Sequence, residues 1–195
     1  TGAIWVGHNE GAERLTFSAE PKARFEHFSF HVLDNPASPA TVRTIFEDSK
    51  KRLWFGTSGG GLVQLVREEG AERFVVTHSS ANDSSGLADN SVNVIYEDGK
   101  HNLWLGTNAG LQQLRETAGA YTFRNWHSNP ADATSLSNNH IEKIVEDHAG
   151  NLWVGTAHGL NRLDATRARS QRIFARPRDP HGLTSNNIVA LCCDR

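Results

Sequence analysis

In 195 residues the sequence has two cysteines, two tyrosines, six prolines and no methionine. The cysteines, Cys192 and Cys193, are adjacent. Neighbouring Cα atoms about 3.8 Å apart fall below the usual disulfide spacing, which argues against an internal bridge. So few cysteines suit an oxidising or a reducing compartment equally. No apolar run approaches the ~20 residues of a membrane-spanning helix. Nor is there a signal peptide, because Thr1-Gly2-Ala3 leads directly into Ile4-Trp5-Val6; the chain is expected to begin mid-protein or after processing. The formal charge is −2 with scattered Lys and Arg. That gives no electrostatic footprint for nucleic acid or an anionic membrane. A nucleophile elbow, a phosphate loop and zinc-ligand spacing are all lacking. His27 and His31, four apart in a strand-like stretch, would lie about 13 Å apart and could not share a metal. No segment keeps a 3.6-residue apolar period.

What is present is a repeat. Trp5, Trp54, Trp104 and Trp153 are 49, 50 and 49 residues apart. Each sits in the same phrase: Ile4-Trp5-Val6-Gly7, Leu53-Trp54-Phe55-Gly56, Leu103-Trp104-Leu105-Gly106 and Leu152-Trp153-Val154-Gly155. Gly-Leu pairs follow at 61-62, 110-111 and 159-160, and Asp48, Asp98 and Asp147 precede the last three Trp. Each unit reads as four short strands, A to D. Strand A is Val42–Glu47, Val92–Glu97, Ile141–Glu146 and Ile188–Cys193. Strand B carries the Trp, strand C follows the Gly-Leu pair, and strand D is aromatic-rich, as in Tyr121–Trp126. Asp98–Asn102 and Asp147–Asn151 have the composition of tight A–B turns. The Gly before Thr107 and Thr156 marks a close approach by another strand or side chain.

A four-stranded unit of this size cannot bury both faces alone, and radial stacking solves that. The fold expected is an all-β propeller fragment of four antiparallel blades. Their bounds are about 4–31 (completed by 188–193), 42–78, 92–127 and 141–175. The chain starts in a strand B and ends on a strand A. Either that last strand completes the first blade, removing both exposed edges, or these are four blades of a larger ring. The repeated Trp and Asp residues read as structural, with the indoles buried between blades.

The phrase Leu136-Ser137-Asn138-Asn139-His140-Ile141, then Glu146-Asp147, Gly150–Thr156 and Gly159–Asp164, resembles the two-component regulator propeller repeat. The units around Trp104 and Trp54 match through Glu97-Asp98, Asn102–Thr107 and Gly110-Leu111, and through Glu47-Asp48, Leu53–Thr57 and Gly61-Leu62. The first unit departs with His8 for Thr and Ala12 for Leu; Pro39-Ala40 replaces an Asn pair before Val42; Cys193 replaces Glu in the last strand A. The resemblance implies a seven-bladed propeller in the periplasmic sensor part of a membrane-anchored signalling protein. Histidine kinases and GGDEF-type cyclases are the usual outputs, and several members of the family sense carbohydrates.

In a propeller the D–A and B–C loops share one face. The D–A loops here, Ser79–Asn90, Asn129–Asn139 and Arg178–Asn187, are long and polar, and loops on a rigid scaffold carry function. The candidate ligand contacts are Asn90, Ser91, Asn108, Asn139, His140, His158 and Asn187. Amides and hydroxyls there suit a neutral polyhydroxylated ligand. Against this, Asn before a strand commonly bonds its own turn backbone. The Glu-Asp pairs at 47-48, 97-98 and 146-147 recur at turns and read as turn residues rather than catalytic carboxylates.

The leading functional expectation is an extracytoplasmic, non-enzymatic ligand-sensing module. It would need no cofactor or metal and would take a small-molecule or oligosaccharide ligand. A homodimer is allowed, and contact with the membrane would come only through segments outside this chain. The alternatives are a protein-interaction scaffold and, further off, a propeller lyase or glycosidase.

Overall fold

The computed structural model describes residues 2–17, 23–80, 83–117, 120–176 and 178–194. Seventeen strands and no helix occur among them. The first sheet has three strands, β1 (Ile4–His8), β2 (Gly11–Phe17) and β3 (Ala23–Phe28). A separate hairpin follows, β4 (His31–Val32) and β5 (Asn35–Pro39). Three four-stranded sheets come next. The second sheet is β6 (Val42–Glu47), β7 (Leu53–Thr57), β8 (Leu62–Glu68) and β9 (Ala71–Thr77). The third is β10 (Val92–Glu97), β11 (Leu103–Thr107), β12 (Gly110–Thr117) and β13 (Ala120–Trp126). The fourth is β14 (Ile141–Glu146), β15 (Leu152–Thr156), β16 (Gly159–Leu163) and β17 (Ser170–Ile173). Every pairing is antiparallel between consecutive strands, the pattern of a propeller blade. The first strands of neighbouring blades adjoin, β6 against β10 and β10 against β14, so the blades fan out from that inner edge.

The core lies between the sheets. Trp54 and Leu62 of the second blade pack with Leu87, Val92, Leu105 and Phe123 of the third. Trp104 and Leu111 of the third blade pack in the same way with Leu136, Ile141 and Leu152 of the fourth. The close approach expected at the repeated Gly is present. A Cβ on Gly56 would meet the carbonyl of Val92 at 2.6 Å, and one on Gly155 would meet Cγ2 of Ile188 at 2.7 Å. The second strand of each blade therefore lies flush against the segment that opens the next one.

The D–A loops are pinned by buried amides. Gln112, fully buried in β12, accepts from the Ala88 N–H at 3.0 Å and donates to the Gly86 carbonyl at 3.1 Å. Asn161 in β16 accepts from the Ser137 N–H at 2.8 Å. These bonds set Leu87 and Leu136 into the core of the following blade. In the second blade the same place on β8 holds buried Val63. There the extra hairpin takes over, with the Leu33 N–H donating to the Gly59 carbonyl at 3.2 Å and Phe30 and Ala40 buried beneath.

Two expectations change, and the structure bears on a third point left open. The stretch across His27 and His31 is not one strand: it breaks at Ser29-Phe30, and the two histidines belong to different sheets. Ile188–Cys193 is not a strand, although Ile188 sits against Gly155 and its N–H donates to the Thr156 carbonyl at 3.1 Å. The segment occupies the place of a first strand, but no second strand pairs with it, and an unpaired extended segment gains no ladder bonds. Third, β1 pairs with β2 alone, so the end-to-end pairing that would complete the first blade is not formed in this structure.

Candidate functional site

Two ends of the blades offer polar groups, and they differ in how those groups are used. At one end lie the A–B turns. The Asp98 carboxylate accepts from the Trp104 indole N–H at 2.9 Å, from the Asn102 backbone N–H at 2.9 Å and from the Asn102 side chain at 2.9 Å. Asp48 and Asp147 repeat the arrangement with Trp54 and Trp153, with Arg52 and Asn151 as the second partners. An arginine covers three of the indoles: Arg14 over Trp5, Arg52 over Trp54 and Arg167 over Trp104, at 5.4, 5.2 and 5.6 Å. Trp5 has no described carboxylate of this kind and leans instead on Phe28 and Phe55. Of the glutamates beside these aspartates, Glu47 pairs with Lys51 in its own turn, while the other two bind across the blade boundary. Glu97 accepts from the Ser49 N–H at 2.8 Å, and Glu146 accepts from the Gly99 N–H at 2.6 Å. Cys193 stands at the next such position, where the His148 ring is hydrogen-bonded to the Asp194 carbonyl instead. The recurring carboxylates are thus taken up in turns and blade-to-blade contacts, not arranged as an acid/base pair.

Burial opposes ionisation of Asp48 and Asp98, but the indole and backbone N–H donors outweigh it and hold both carboxyls below the ordinary value. At Asp147 the side-chain bond from Asn151, then that from Trp153, lowers the pKa to about 2. These groups bind protons more weakly folded than unfolded. Their stabilising contribution is therefore complete above the unfolded value of about 3.9 and is lost as pH falls through the folded values. The urea midpoint is expected to hold steady from neutral pH to about 5 and to fall between about pH 4 and 2. A midpoint that stays flat to pH 2 would contradict this assignment. In Asp147→Asn the part of the fall due to Asp147 should disappear.

The other end holds the D–A and B–C loops, tied together by their backbones. The Asn108 N–H donates to the Ser91 carbonyl at 3.3 Å, the Ala157 N–H to that of His140 at 3.0 Å, and the Gly159 N–H to that of Asn186 at 2.6 Å. Asn90 and Asn139 close the necks of their loops: Asn90 accepts from the Ser79 N–H at 2.7 Å and Asn139 from the Ser128 N–H at 2.6 Å. Asn186 does this in the last loop, accepting from the Ala175 N–H at 2.6 Å. Asn187 is instead the counterpart of Ser91 and His140. All three donate their N–H to the side chain two residues back, in Asp89, Asn138 and Ser185. In the 79–90 loop, residues 81–82 lie outside the described residues. Exposed His158 packs on Phe174 at 5.7 Å between ring centres, out along the blade.

The structure draws attention to residues that sequence reasoning passed over. Strands β6, β10 and β14 each carry a bulge at their second residue, with the register stepping past Arg43, Asn93 and Glu142. Bulges free a side chain from the ladder and re-aim it. Here they do so at the inner edge, at the end where the loops are tied. Asn93 donates to Oδ1 of Asn108 at 2.9 Å and, across the blade boundary, to the Ile141 carbonyl at 3.1 Å. Glu142 is hydrogen-bonded to Nε2 of His140 at 2.9 Å. Two of the expected contacts, Asn108 and His140, are therefore brought to the bulge residues. In sequence only the apolar residue before this position recurs (Val42, Val92, Ile141), while the position itself and the residue after it change from unit to unit.

Comparison with known proteins agrees with the blade pattern. None of the curated proteins compared with the chain matches it. Among solved structures, the extracellular domain of BT4673 from B. thetaiotaomicron, described as a one component system, aligns with 96% of this chain at 23% identity and a TM-score of 0.69. The chain spans 23% of that domain's length. PorZ, a surface component of the type-IX secretion system of Porphyromonas gingivalis, aligns with 96% of the chain, which spans 34% of it, at 16% identity and a TM-score of 0.54. Virginiamycin B lyase from Staphylococcus aureus aligns with 88% of the chain and 50% of its own, at 18% identity and a TM-score of 0.51. At these identities the likeness is one of fold. The family model of the two component regulator propeller matches residues 37–59, 86–109 and 135–158. Each match runs from the segment before a first strand through the first two strands into the B–C turn, so the likeness to the two component regulator propeller covers the first half of three successive blades.

Proposed function

We propose that this chain is an extracytoplasmic ligand-sensing propeller of a bacterial membrane-anchored signalling protein, taking a carbohydrate-like ligand on its loop face. The observation that carries the proposal is the regulator propeller repeat in three successive blades. Two others support it. A similarly folded chain is an extracellular domain of a one component system. The repeated carboxylates, which an enzyme would need, are taken up in holding blades and turns. The output, a histidine kinase or a GGDEF-type cyclase, would lie outside this chain, and pairing of two copies would transmit the signal. Ligand binding would shift the balance of blade packing by its differential affinity for the two states. In a thermal-shift screen of the chain with matched neutral and acidic oligosaccharides, a ligand at a hundred times its Kd is expected to stabilise by about 2.7 kcal/mol and raise Tm by several degrees. If no saccharide moves Tm, or if one is cleaved, the proposal fails.

A further inference from the structure

The loop face holds a polar arc whose two ends differ in charge. Arg43, Asn93 and Glu142 stand at the bulges of three adjacent inner strands, one per blade, in that order. Arg43 is exposed. Arginines that join one blade to the next at the opposite end are Arg14, Arg52 and Arg167, paired with Glu72, Glu116 and Asp98. Both Asn93 amide hydrogens are engaged, by Asn108 and by the Ile141 carbonyl. This fixes the Asn93 side chain and leaves its carbonyl oxygen as an acceptor. Asn108 accepts through its oxygen and keeps its amide hydrogens. Glu142 gives one oxygen to His140 and keeps the other.

Resting on the sensing role proposed above, we infer that this arc is the ligand site and that it takes an acidic saccharide, with a carboxylate on Arg43 and ring hydroxyls on Asn93, Asn108 and Glu142. A guanidinium presents a planar fork of donors matched to a carboxylate. The middle of the arc alternates acceptor and donor, as successive hydroxyls require. At the far end Glu142 repels a second carboxylate, which sets the orientation. The site is preorganised, because Asn93 bridges two blades and the loops behind it are tied by backbone bonds. Asn90 and Asn139 serve the site by closing the necks of the loops behind it.

The test is calorimetric titration of the chain with matched disaccharide pairs, each a uronic acid disaccharide and its neutral counterpart, in the gluco, galacto and manno series. In at least one pair the acidic member is expected to bind tenfold or more tightly than the neutral one. Arg43→Gln should abolish that preference and raise Kd at least tenfold without moving Tm, because the side chain is exposed. Glu142→Gln should narrow the discrimination against disaccharides carrying two carboxylates. Arg115→Gln, at the opposite end of the blades, is the control and should change nothing. If saccharides bind but the Arg43 and Glu142 variants bind them unchanged, this site assignment is wrong while the sensing role stands. If neutral members bind as well as acidic ones in every pair, the acidic class is wrong. If no saccharide of either kind binds, both fall.

Discussion

Trp104→Ala is expected to lower the stability of the chain by about 3–5 kcal/mol, the cost of truncating a fully buried large aromatic. The indole is at 0% exposure between the third and fourth blades, in contact with Trp126 at 5.0 Å and covered by Arg167. Its removal opens a cavity across a blade boundary. It also leaves the buried Asp98 carboxylate without the indole N–H that helps keep it ionised, a loss added to the cavity term. Trp5→Ala should cost less, since Trp5 is half-buried in β1 and has no described carboxylate partner. Urea unfolding of the two variants checks this order. Equal losses would mean that the aspartate–indole bond and the deeper burial add nothing, and that blade packing does not depend on them. Trp104→Phe separates the two contributions, because it restores most of the volume but not the N–H.

The repeat made the blades legible because each blade is one period, and the residues that recur are those that touch the next blade: the Trp, the Gly of Gly-Thr and the turn Asp. First strands β6, β10 and β14 follow the expected bounds for this reason. Ile188–Cys193 is apolar throughout but has no paired neighbour, and β propensity describes a fit to a pleated surface, not an intrinsic state of the backbone. The β4–β5 hairpin was not legible: Pro36 and Pro39 lie within its second strand, and proline counts against a strand reading except at an edge. At the loop face, Asn90 and Asn139 recur because they close loop necks through their side-chain oxygens, which leaves their amide hydrogens available. Asn186 and Asn187 are adjacent and identical, so sequence does not separate their roles, and only the bond to the Ala175 N–H distinguishes them. The bulges at Arg43, Asn93 and Glu142 are features of register. Register depends on which residues of the partner strand they face, and no local pattern in the strand itself records it.

The same logic separates two glycines that look equivalent in sequence. Gly106→Ala is expected to destabilise the chain by about 1–3 kcal/mol, the range for forcing an extra carbon into a packed core. The new Cβ would lie 2.5 Å from Cγ1 of Val94 and 2.7 Å from Cγ2 of Ile141. Val94 and Ile141 are themselves buried, the second at 0% exposure in β14, which is paired along its length with β15. Neither can move without shifting a blade. Gly155→Ala makes a like collision with Cγ2 of Ile188, at 2.7 Å, but Ile188 belongs to a segment without a ladder partner. That segment can swing away, so the cost should be well under that of Gly106→Ala. The strain should appear as faster amide exchange at Ile188, whose N–H is bonded to the Thr156 carbonyl. A Gly155→Ala penalty as large as that at Gly106 would show that the 188–194 segment is held as firmly as a complete blade. The stacking of blades through their first strands, and not their pairing within sheets alone, would then be what fixes each boundary.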